Sequence, residues 1–141
     1  MKKLFLVCLV AALTIGSVNA QQQKNEKTEP EHGPKIVFAE QVHNYGTIQK
    51  GADGNCTFTF TNVGDAPLII NQAVASCGCT VPEYTKTPIK PGEKGEIKVT
   101  YNGAGKFPGH FKKSITVRTN GKVEMTRLYI EGDMTEAETK E

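Results

Sequence analysis

The sequence predicts an all-β domain, an antiparallel β-sandwich of about seven short strands. Apolar and polar residues alternate with a period of two in several short segments, and turn-forming residues separate these segments. No segment after residue 20 shows the sustained 3.6-residue periodicity of an amphipathic helix. Strands with one apolar face need a second sheet to cover that face, so two facing sheets around one core are expected.

The first twenty residues have the layout of a secretory signal peptide. A basic pair at positions 2–3 precedes an apolar run over 4–15, and residues 18–20 offer a small-residue cleavage site. The apolar run is shorter than the about 20 residues that span a bilayer. Cys8 lies inside this run, whereas a lipoprotein cysteine would follow it. We therefore expect cleavage after Ala20, a periplasmic or secreted protein, and no membrane span in the mature chain.

Polar segments flank the domain on both sides. Residues 21–34 are charged and lack large apolar side chains, so they cannot bury enough surface to offset the entropy of ordering. We expect a flexible linker there and an acidic tail at 134–141. Residues 35–133 have the length of one small domain with one core.

The mature chain carries no excess of charge. The full sequence has 17 basic and 15 acidic residues, and because Lys2 and Lys3 leave with the signal peptide, 15 of each remain. A net charge near zero provides no electrostatic attraction for nucleic acid or for an anionic membrane surface. We therefore predict a protein partner, of unknown identity, and no nucleic-acid binding.

The first half of the domain contains two extended segments. Residues 35–48 form a broken stretch, whose buried candidates are Phe38, Val42, Tyr45 and Ile48. A turn around Gly51 and the Asp53-Gly54 pair follows. Residues 55–62 then alternate strictly, which places on one inward face Cys56, Phe58 and Phe60.

The second half continues the same pattern. Turn residues at 62–67 precede a strand at 68–76, and a connector rich in proline and glycine at 88–96 contains a Pro91-Gly92 pair that suits a type II turn. Further extended segments are predicted at 97–101, 110–120 and 123–132, the last two around a turn at Asn120-Gly121.

These segments together resemble a bacterial family. The carrying stretches are HNYGTIQKG, FTFTNVGDAPLII, ASCGCTVPEY, PIKPGEKGEIKVTYN, ITVRTN and LYIEGD, in this order. They resemble exported proteins described as a domain of unknown function (DUF1573), over essentially residues 36–132. The resemblance implies export and an immunoglobulin-like fold, similar to protein-binding modules of the major-sperm-protein and cilium or centrosome type. It implies no activity.

Three cysteines remain in the mature chain, and their pairing is open. An odd number in an oxidising compartment indicates one disulfide and a leftover thiol, or no disulfide. Cys77 and Cys79 could bond locally if Gly78 bends the chain, one of them could bond to Cys56, or the pair could clip Cu(I) or Zn(II). A small local ring would be strained and comparatively easy to reduce, which suits a redox site.

A structural or inert role is the main prediction for these cysteines, with Cys56 as a small core residue. A metal site would need further ligands, and none of His32, His43 and His110 stands at zinc-ligand spacing from the pair. No serine lies in a nucleophile elbow, and residues 103–106 lack phosphate-loop spacing. We predict no cofactor and no enzymatic activity, with thiol redox or copper or zinc binding as the alternative function.

The most distinctive loop is YNGAGKFPGHFKKS, residues 101–114. Phe107, His110 and Phe111 lie in it among basic and turn-forming residues. Phe107 and Phe111 are expected to anchor adjacent strands in the core; alternatively, the three residues form a contact loop. The favoured function is an exported module that acts by protein contact, through an exposed strand edge or through the loops at one end of the sandwich.

Overall fold

The computed structural model describes residues 32–137. The predicted signal peptide, residues 21–31 of the predicted linker and residues 138–141 of the predicted tail lie outside this range. The described residues form eight strands and no helix. In chain order the strands are β1 (Ile36–Phe38), β2 (Val42–Gln49), β3 (Asp53–Asn62), β4 (Ile70–Ala75), β5 (Thr80–Tyr84), β6 (Lys94–Asn102), β7 (Gly109–Thr119) and β8 (Met125–Thr135).

The predicted all-β sandwich is confirmed, with eight strands where about seven were expected. The broken first stretch forms two strands, β1 and β2, that belong to different sheets. β5 is an addition, because it lies in the stretch TVPEY where the sequence analysis predicted no strand.

The strands form two four-stranded sheets. The first has the order β1-β3-β6-β5 and the second the order β2-β8-β7-β4. Neighbouring strands are antiparallel, as predicted, except that β2 runs parallel to β8. β1 and β2 do not form a hairpin, because β1 belongs to the first sheet and β2 to the second. In the second sheet β2 lies beside β8, the last strand, and runs in the same direction.

The core lies between the sheets and is built from alternate positions of the strands. Burying one large apolar side chain stabilises the fold by about 1.5–3 kcal/mol. The buried apolar side chains form one cluster of Phe58, Phe60, Leu68, Ile70, Ile89, Ile97, Val99, Tyr101, Phe111, Ile115, Val117, Leu128, Ile130 and Met134. Both sheets contribute to this cluster, which explains why neither sheet has two solvated faces.

β2 changes face part-way along its length. Tyr45 and Ile48 both contact the core, although they stand three positions apart. A bulge around Gly46 shifts the register against β8, and Gly46 has a φ of 66°, a left-handed value that glycine adopts without steric cost. Val42, predicted to be buried, is 44% exposed. That prediction is wrong because alternation cannot be continued through a bulge.

The domain extends past both of its predicted boundaries. Near the N-terminus, His32 Nδ1 lies 2.6 Å from Asp65 Oδ2, and Asp65 N donates to Gly33 O at 3.1 Å. The end of the predicted linker therefore packs on the domain. Met134, predicted to start the tail, is buried in the core and lies within β8. Polar composition does not predict either boundary. Hydrogen bonds attach residues 32–33 to the domain, and the burial of one methionine, Met134, attaches the start of the predicted tail.

One buried polar side chain joins four segments of the chain. Asn62, the last residue of β3, is fully buried. Its Nδ2 donates to Ala66 O at 2.8 Å and to Ile89 O at 2.9 Å. Its Oδ1 accepts from Gly64 N at 3.0 Å and from Lys35 N at 3.3 Å. An asparagine amide has two N–H donors and two acceptor lone pairs, so the capacity of this side chain is fully used.

Replacing Asn62 with alanine should therefore be strongly destabilising. The change removes the hydrogen-bond partner of four backbone groups, and we expect the free energy of unfolding to fall by about 2–4 kcal/mol in urea denaturation. Asn71→Ala is the matched control, because Asn71 is exposed and its side chain has no hydrogen bond within the described residues. The control should change stability by less than about 0.5 kcal/mol. Similar losses in the two variants would contradict this role of Asn62.

Candidate functional site

A short loop that contains a disulfide joins the two sheets at one end of the sandwich. This disulfide loop, residues 76–79, follows β4 and precedes β5. Cys77 is bonded to Cys79, with their Cα atoms 5.3 Å apart, inside the ordinary range for disulfides. Of the three possibilities that the sequence left open, the structure contains the local bond.

Gly78 stands between the bonded cysteines, yet the bond does not require a glycine there. Its φ lies outside the left-handed region, and a Cβ added to it would meet no atom within 4 Å. An alanine would therefore fit at this position. The bend that the sequence analysis assigned to Gly78 does not depend on the conformational freedom of glycine.

Backbone hydrogen bonds attach the disulfide loop to both sheets. Ser76 N donates to Ser114 O of β7 at 2.8 Å, and Asn102 N of β6 donates to Cys79 O at 2.8 Å. Both bonded cysteines are half-buried, and Cys79 packs against the core. The disulfide thus lies in, and constrains, the loop through which the chain passes from the second sheet to the first.

The sulfur atoms of the disulfide have a neutral polar environment. Within the described residues their polar contacts are with the Thr80 hydroxyl, 3.7 Å from Cys77 Sγ and 3.9 Å from Cys79 Sγ. Reactive cysteines have a lowered thiol pKa because a cation, a metal or a helix N-terminus stabilises the thiolate. A hydroxyl provides no such charge, so the surroundings favour a structural role.

Cys56 is the free cysteine of the described residues. It lies on the inward face of β3, as predicted, and packs half-buried against the core. β6 lies between β3 and β5, so β3 is about 9–10 Å from the strand that follows the disulfide loop. The possible bond from Cys56 to Cys77 or Cys79 is therefore not formed.

The environment of Cys56 suppresses its reactivity. Burial raises the pKa of the Cys56 thiol, the neighbouring Tyr45 hydroxyl lowers it in part, and the negative charge of Glu40 raises it further. The Tyr45 hydroxyl donates its proton to Gly54 O at 3.0 Å. Burial also raises the pKa of Tyr45. The thiol is therefore protonated at neutral pH.

The predicted contact loop separates into an exposed part and a buried part. Phe107 is 91% exposed, so the expectation that it anchors the core is wrong. Phe111 is buried and stacks on Tyr101 with ring centroids 4.4 Å apart, as expected of a core anchor. His110 is exposed, with Nδ1 3.2 Å from Asp133 Oδ1. Alternation could not place Phe107, because β7 begins only at Gly109.

The disulfide loop and residues 103–108 of the contact loop, exposed from Ala104 onward, are neighbours in space. Asn102, which donates to Cys79 O, directly precedes residues 103–108. We call these two loops together the disulfide end of the sandwich. Sequence reasoning missed this proximity, which follows from the pairing of β5 with β6. The sequence signal for β5 was the alternation of TVPEY, and Pro82 weakens that signal because proline is unfavourable within a strand.

The described residues offer no obvious metal site. No group of three or more histidine, cysteine, aspartate or glutamate side chains among residues 32–137 could hold a metal ion. The bonded sulfurs of Cys77 and Cys79 are also not available as thiolate ligands. Over the same residues no helix has the length and apolar composition needed to cross a membrane.

Comparison of the sequence with known protein families gives a match. A family model described as a protein of unknown function (DUF1573) matches residues 36–134, from the start of β1 to the last but one residue of β8. No curated protein matches the chain.

Several solved structures are similar in fold. A protein of unknown function from Porphyromonas gingivalis W83 aligns with a TM-score of 0.62 and 14% identity over 74% of this chain and 49% of that one, so the chain spans about half its length. The ASH or PapD-like domain 7 of human CEP192 aligns with a TM-score of 0.61 and 11% identity, over 78% and 90%. The secreted serine protease VesC from Vibrio cholerae aligns with a TM-score of 0.56 and 14% identity, over 74% and 24%. At these identities the likeness shows the fold alone, and it confirms an immunoglobulin-like sandwich.

Cys56 should react slowly with iodoacetamide in the native protein. Its raised thiol pKa leaves less thiolate at pH 8 than the unfolded chain has, and burial limits access. We expect a rate at least about tenfold below that in urea, still rising at pH values where the rate of the unfolded chain has levelled off. Peptide mass spectrometry assigns the label. Equal native and unfolded rates would contradict the burial of this thiol.

Proposed function

The chain belongs to the DUF1573 family, proteins described as of unknown function, and from this premise we propose that it is an exported, non-enzymatic immunoglobulin-like module that binds another protein in the cell envelope. The observation that carries the proposal is the exposure of Phe107 at the disulfide end. The signal-peptide pattern of residues 1–20 supports export. The partner would be a protein with an apolar pocket for the phenyl ring.

The exposed ring of Phe107 is a source of binding free energy. Burying a phenylalanine side chain is worth about 1.5–3 kcal/mol, and aromatic side chains are enriched at the centres of protein interfaces. Among the large apolar residues described, Phe107 is the most exposed, followed by Val123 at 65%. A single protruding aromatic residue of this kind is typical of an anchor that enters a partner's pocket.

The loop that presents Phe107 has an ordered base. Ala104 N donates to Asn102 Oδ1 at 2.8 Å, and Lys106 N donates to Gly103 O at 3.1 Å. A Cβ on Gly103 would overlap the Met134 side chain, so this end of the loop lies directly on the core. A loop that is ordered before binding loses less conformational entropy on binding.

Strand addition, the other route considered from the sequence, is opposed at each sheet edge. β1 has only three residues, and β2 is interrupted by its bulge. On β4, the carbonyl oxygen of Asn71 already accepts from the Tyr84 hydroxyl at 3.3 Å. β5 contains Pro82, which has no N–H to donate. Native sheets use such features to prevent edge pairing, so contact through the end loops is the better supported route.

A second candidate function is thiol–disulfide exchange at Cys77 and Cys79, favoured by the bond between residues so close in sequence. In such an exchange a partner thiolate attacks one sulfur, forms a mixed disulfide and releases the other cysteine as a thiolate. The neutral surroundings of both sulfurs offer no charge to stabilise that thiolate. Contact through Phe107 is therefore the stronger proposal.

Replacing Phe107 with p-benzoylphenylalanine, a photo-reactive analogue, should trap the partner in intact cells that make the protein naturally. Because the ring enters a pocket of the partner, irradiation should give one discrete cross-linked product of higher mass. Immunoblotting detects this product and mass spectrometry identifies it.

The control for this experiment places the same analogue at Val123. This residue is the next most exposed large apolar residue and lies beyond the other end of β7. It should give no discrete product. Failure to cross-link from position 107, or the same products from both positions, would sink the proposed contact.

Export makes a separate prediction about the N-terminus. The protein recovered from the envelope or the medium should begin at Gln21, because signal peptidase cleaves after a small residue at the end of the apolar segment. Mass spectrometry of the intact N-terminal peptide measures this directly. A chain that keeps residues 1–20 and fractionates with the cytoplasm would contradict the proposed location.

A further inference from the structure

The outer face of the first sheet (β1-β3-β6-β5) has a mixed and balanced charge. Lys94, Glu96 and Lys98 follow one another on the outward side of β6, and Glu83 of β5 stands opposite Lys98. Exposed or half-exposed threonines of β3 lie beside them. Interspersed lysine, glutamate and threonine are typical of a surface that faces water.

The outer face of the second sheet is chemically different. Its positions on β7 and β8 carry two exposed arginines, Arg118 and Arg127. Exposed apolar side chains lie next to them, with Val74 of β4 47% exposed and Met125 of β8 45% exposed. Arginine, methionine and tyrosine are enriched in protein interfaces, whereas lysine and glutamate are depleted. Tyr129, two positions after Arg127 on β8, lies on the same face and is also of a residue type enriched in interfaces.

The strand register makes the two arginines diagonal neighbours. Arg127 stands opposite Thr116, while Arg118 stands between Met125 and Gln72. Diagonal neighbours in an antiparallel pair are about 7–8 Å apart. We call this surface the arginine face, and it consists of Gln72, Val74, Thr116, Arg118, Met125 and Arg127.

The positive charge of the arginine face is not compensated within the described residues. Neither arginine has a hydrogen bond or an ion pair in that part of the chain. Acidic groups farther along the same outer face already have partners, since Glu131 Oε2 lies 2.9 Å from Lys112 Nζ and Asp133 Oδ1 lies 3.2 Å from His110 Nδ1. Within the described residues the two guanidinium groups therefore have no ion-pair partner, whereas Glu131 and Asp133 farther along the same face are paired.

The acidic side chain nearest to Arg118 along the groove, within the described residues, does not pair with it. Glu124 lines the same groove as Arg118 but forms no ion pair with it. The two guanidinium groups of Arg118 and Arg127 therefore remain available to a molecule that brings its own carboxylates.

We propose that the arginine face is a docking surface for an acidic segment of another protein, with two carboxylates two residues apart and apolar side chains on either side. In an extended segment, side chains two residues apart point to the same face about 6.6–6.8 Å from one another. This distance matches the diagonal spacing of Arg118 and Arg127. Guanidinium groups bind carboxylates in a bidentate geometry, and Val74 and Met125 provide the apolar contacts.

The inference does not depend on the Phe107 contact, because the arginine face lies on the side of the sandwich and is tested with a different probe. The probe is a short fluorescein-labelled peptide with two aspartates separated by one residue and flanked by valine and leucine. Fluorescence anisotropy with the mature protein should show saturable binding that weakens as salt is added. The same peptide with asparagines in place of the aspartates should bind at least about tenfold more weakly.

A charge-matched pair of variants locates the binding. Arg118→Glu combined with Arg127→Glu should weaken binding at least about tenfold, whereas Lys94→Glu combined with Lys98→Glu, the same change in net charge on the other outer face, should weaken it less than about twofold. Thermal unfolding checks that both remain folded. If the arginine pair does not tolerate reversal, Arg127→Gln replaces it and should weaken binding severalfold.

Three results would overturn the proposal. The first is that the peptide does not bind. The second is that both double variants weaken binding equally, which would indicate attraction by net charge alone. The third is that dextran sulfate binds with the same dependence on the arginines while the peptide does not, which would indicate an acidic polysaccharide as the partner. Binding of the peptide with loss confined to the arginine variants supports the proposal.

Discussion

The hydrogen-bonding capacity of one buried amide, that of Asn62, sets the arrangement on which the rest of the domain depends. Its side chain binds the segment before β1, the turn after β3 and the segment that carries Ile89. Ile89 in turn exchanges two backbone hydrogen bonds of 2.8 Å with Leu68, and both side chains are buried. A buried amide is costly unless every donor and acceptor is paired. This requirement links the turns between strands to the core.

Sequence patterns predicted the parts of this structure that depend on local chemistry. The alternating stretch around Phe58 and Phe60 forms a strand with those rings inward, and the turn at Pro91-Gly92 has Gly92 at a φ of 82°, as a type II turn requires. Features set by distant contacts were not predictable. The parallel pairing of β2 and the bulge around Gly46 depend on β8, almost ninety positions later. The exposure of Phe107 depends on where pairing of β7 begins, and the choice among the possible cysteine bonds depends on which strands are neighbours.

In the proposed function, the disulfide loop stabilises the sandwich and Phe107 binds the partner. The disulfide loop is attached to both sheets by backbone hydrogen bonds, and its sulfurs contact only a hydroxyl among the described polar groups. Phe107, in the neighbouring loop, does not contribute to the core, because its large apolar side chain is exposed to water. On this account the cysteines hold the end of the sandwich in shape, and the neighbouring loop uses that shape to present one aromatic side chain. An immunoglobulin-like scaffold suits such a task, because loops positioned by a rigid sandwich can vary without loss of the core.

The central claim is that function lies in the surface of the disulfide end and not in its thiols. It is tested most directly by exchanging Cys77 and Cys79 for serine together, in a protein that also carries the photo-reactive analogue at position 107. The account predicts a folded protein with a lowered melting temperature that still cross-links to the same partner. A variant that remains folded, with an unchanged melting temperature, and yields no cross-linked product would contradict the account and assign the function to the cysteines.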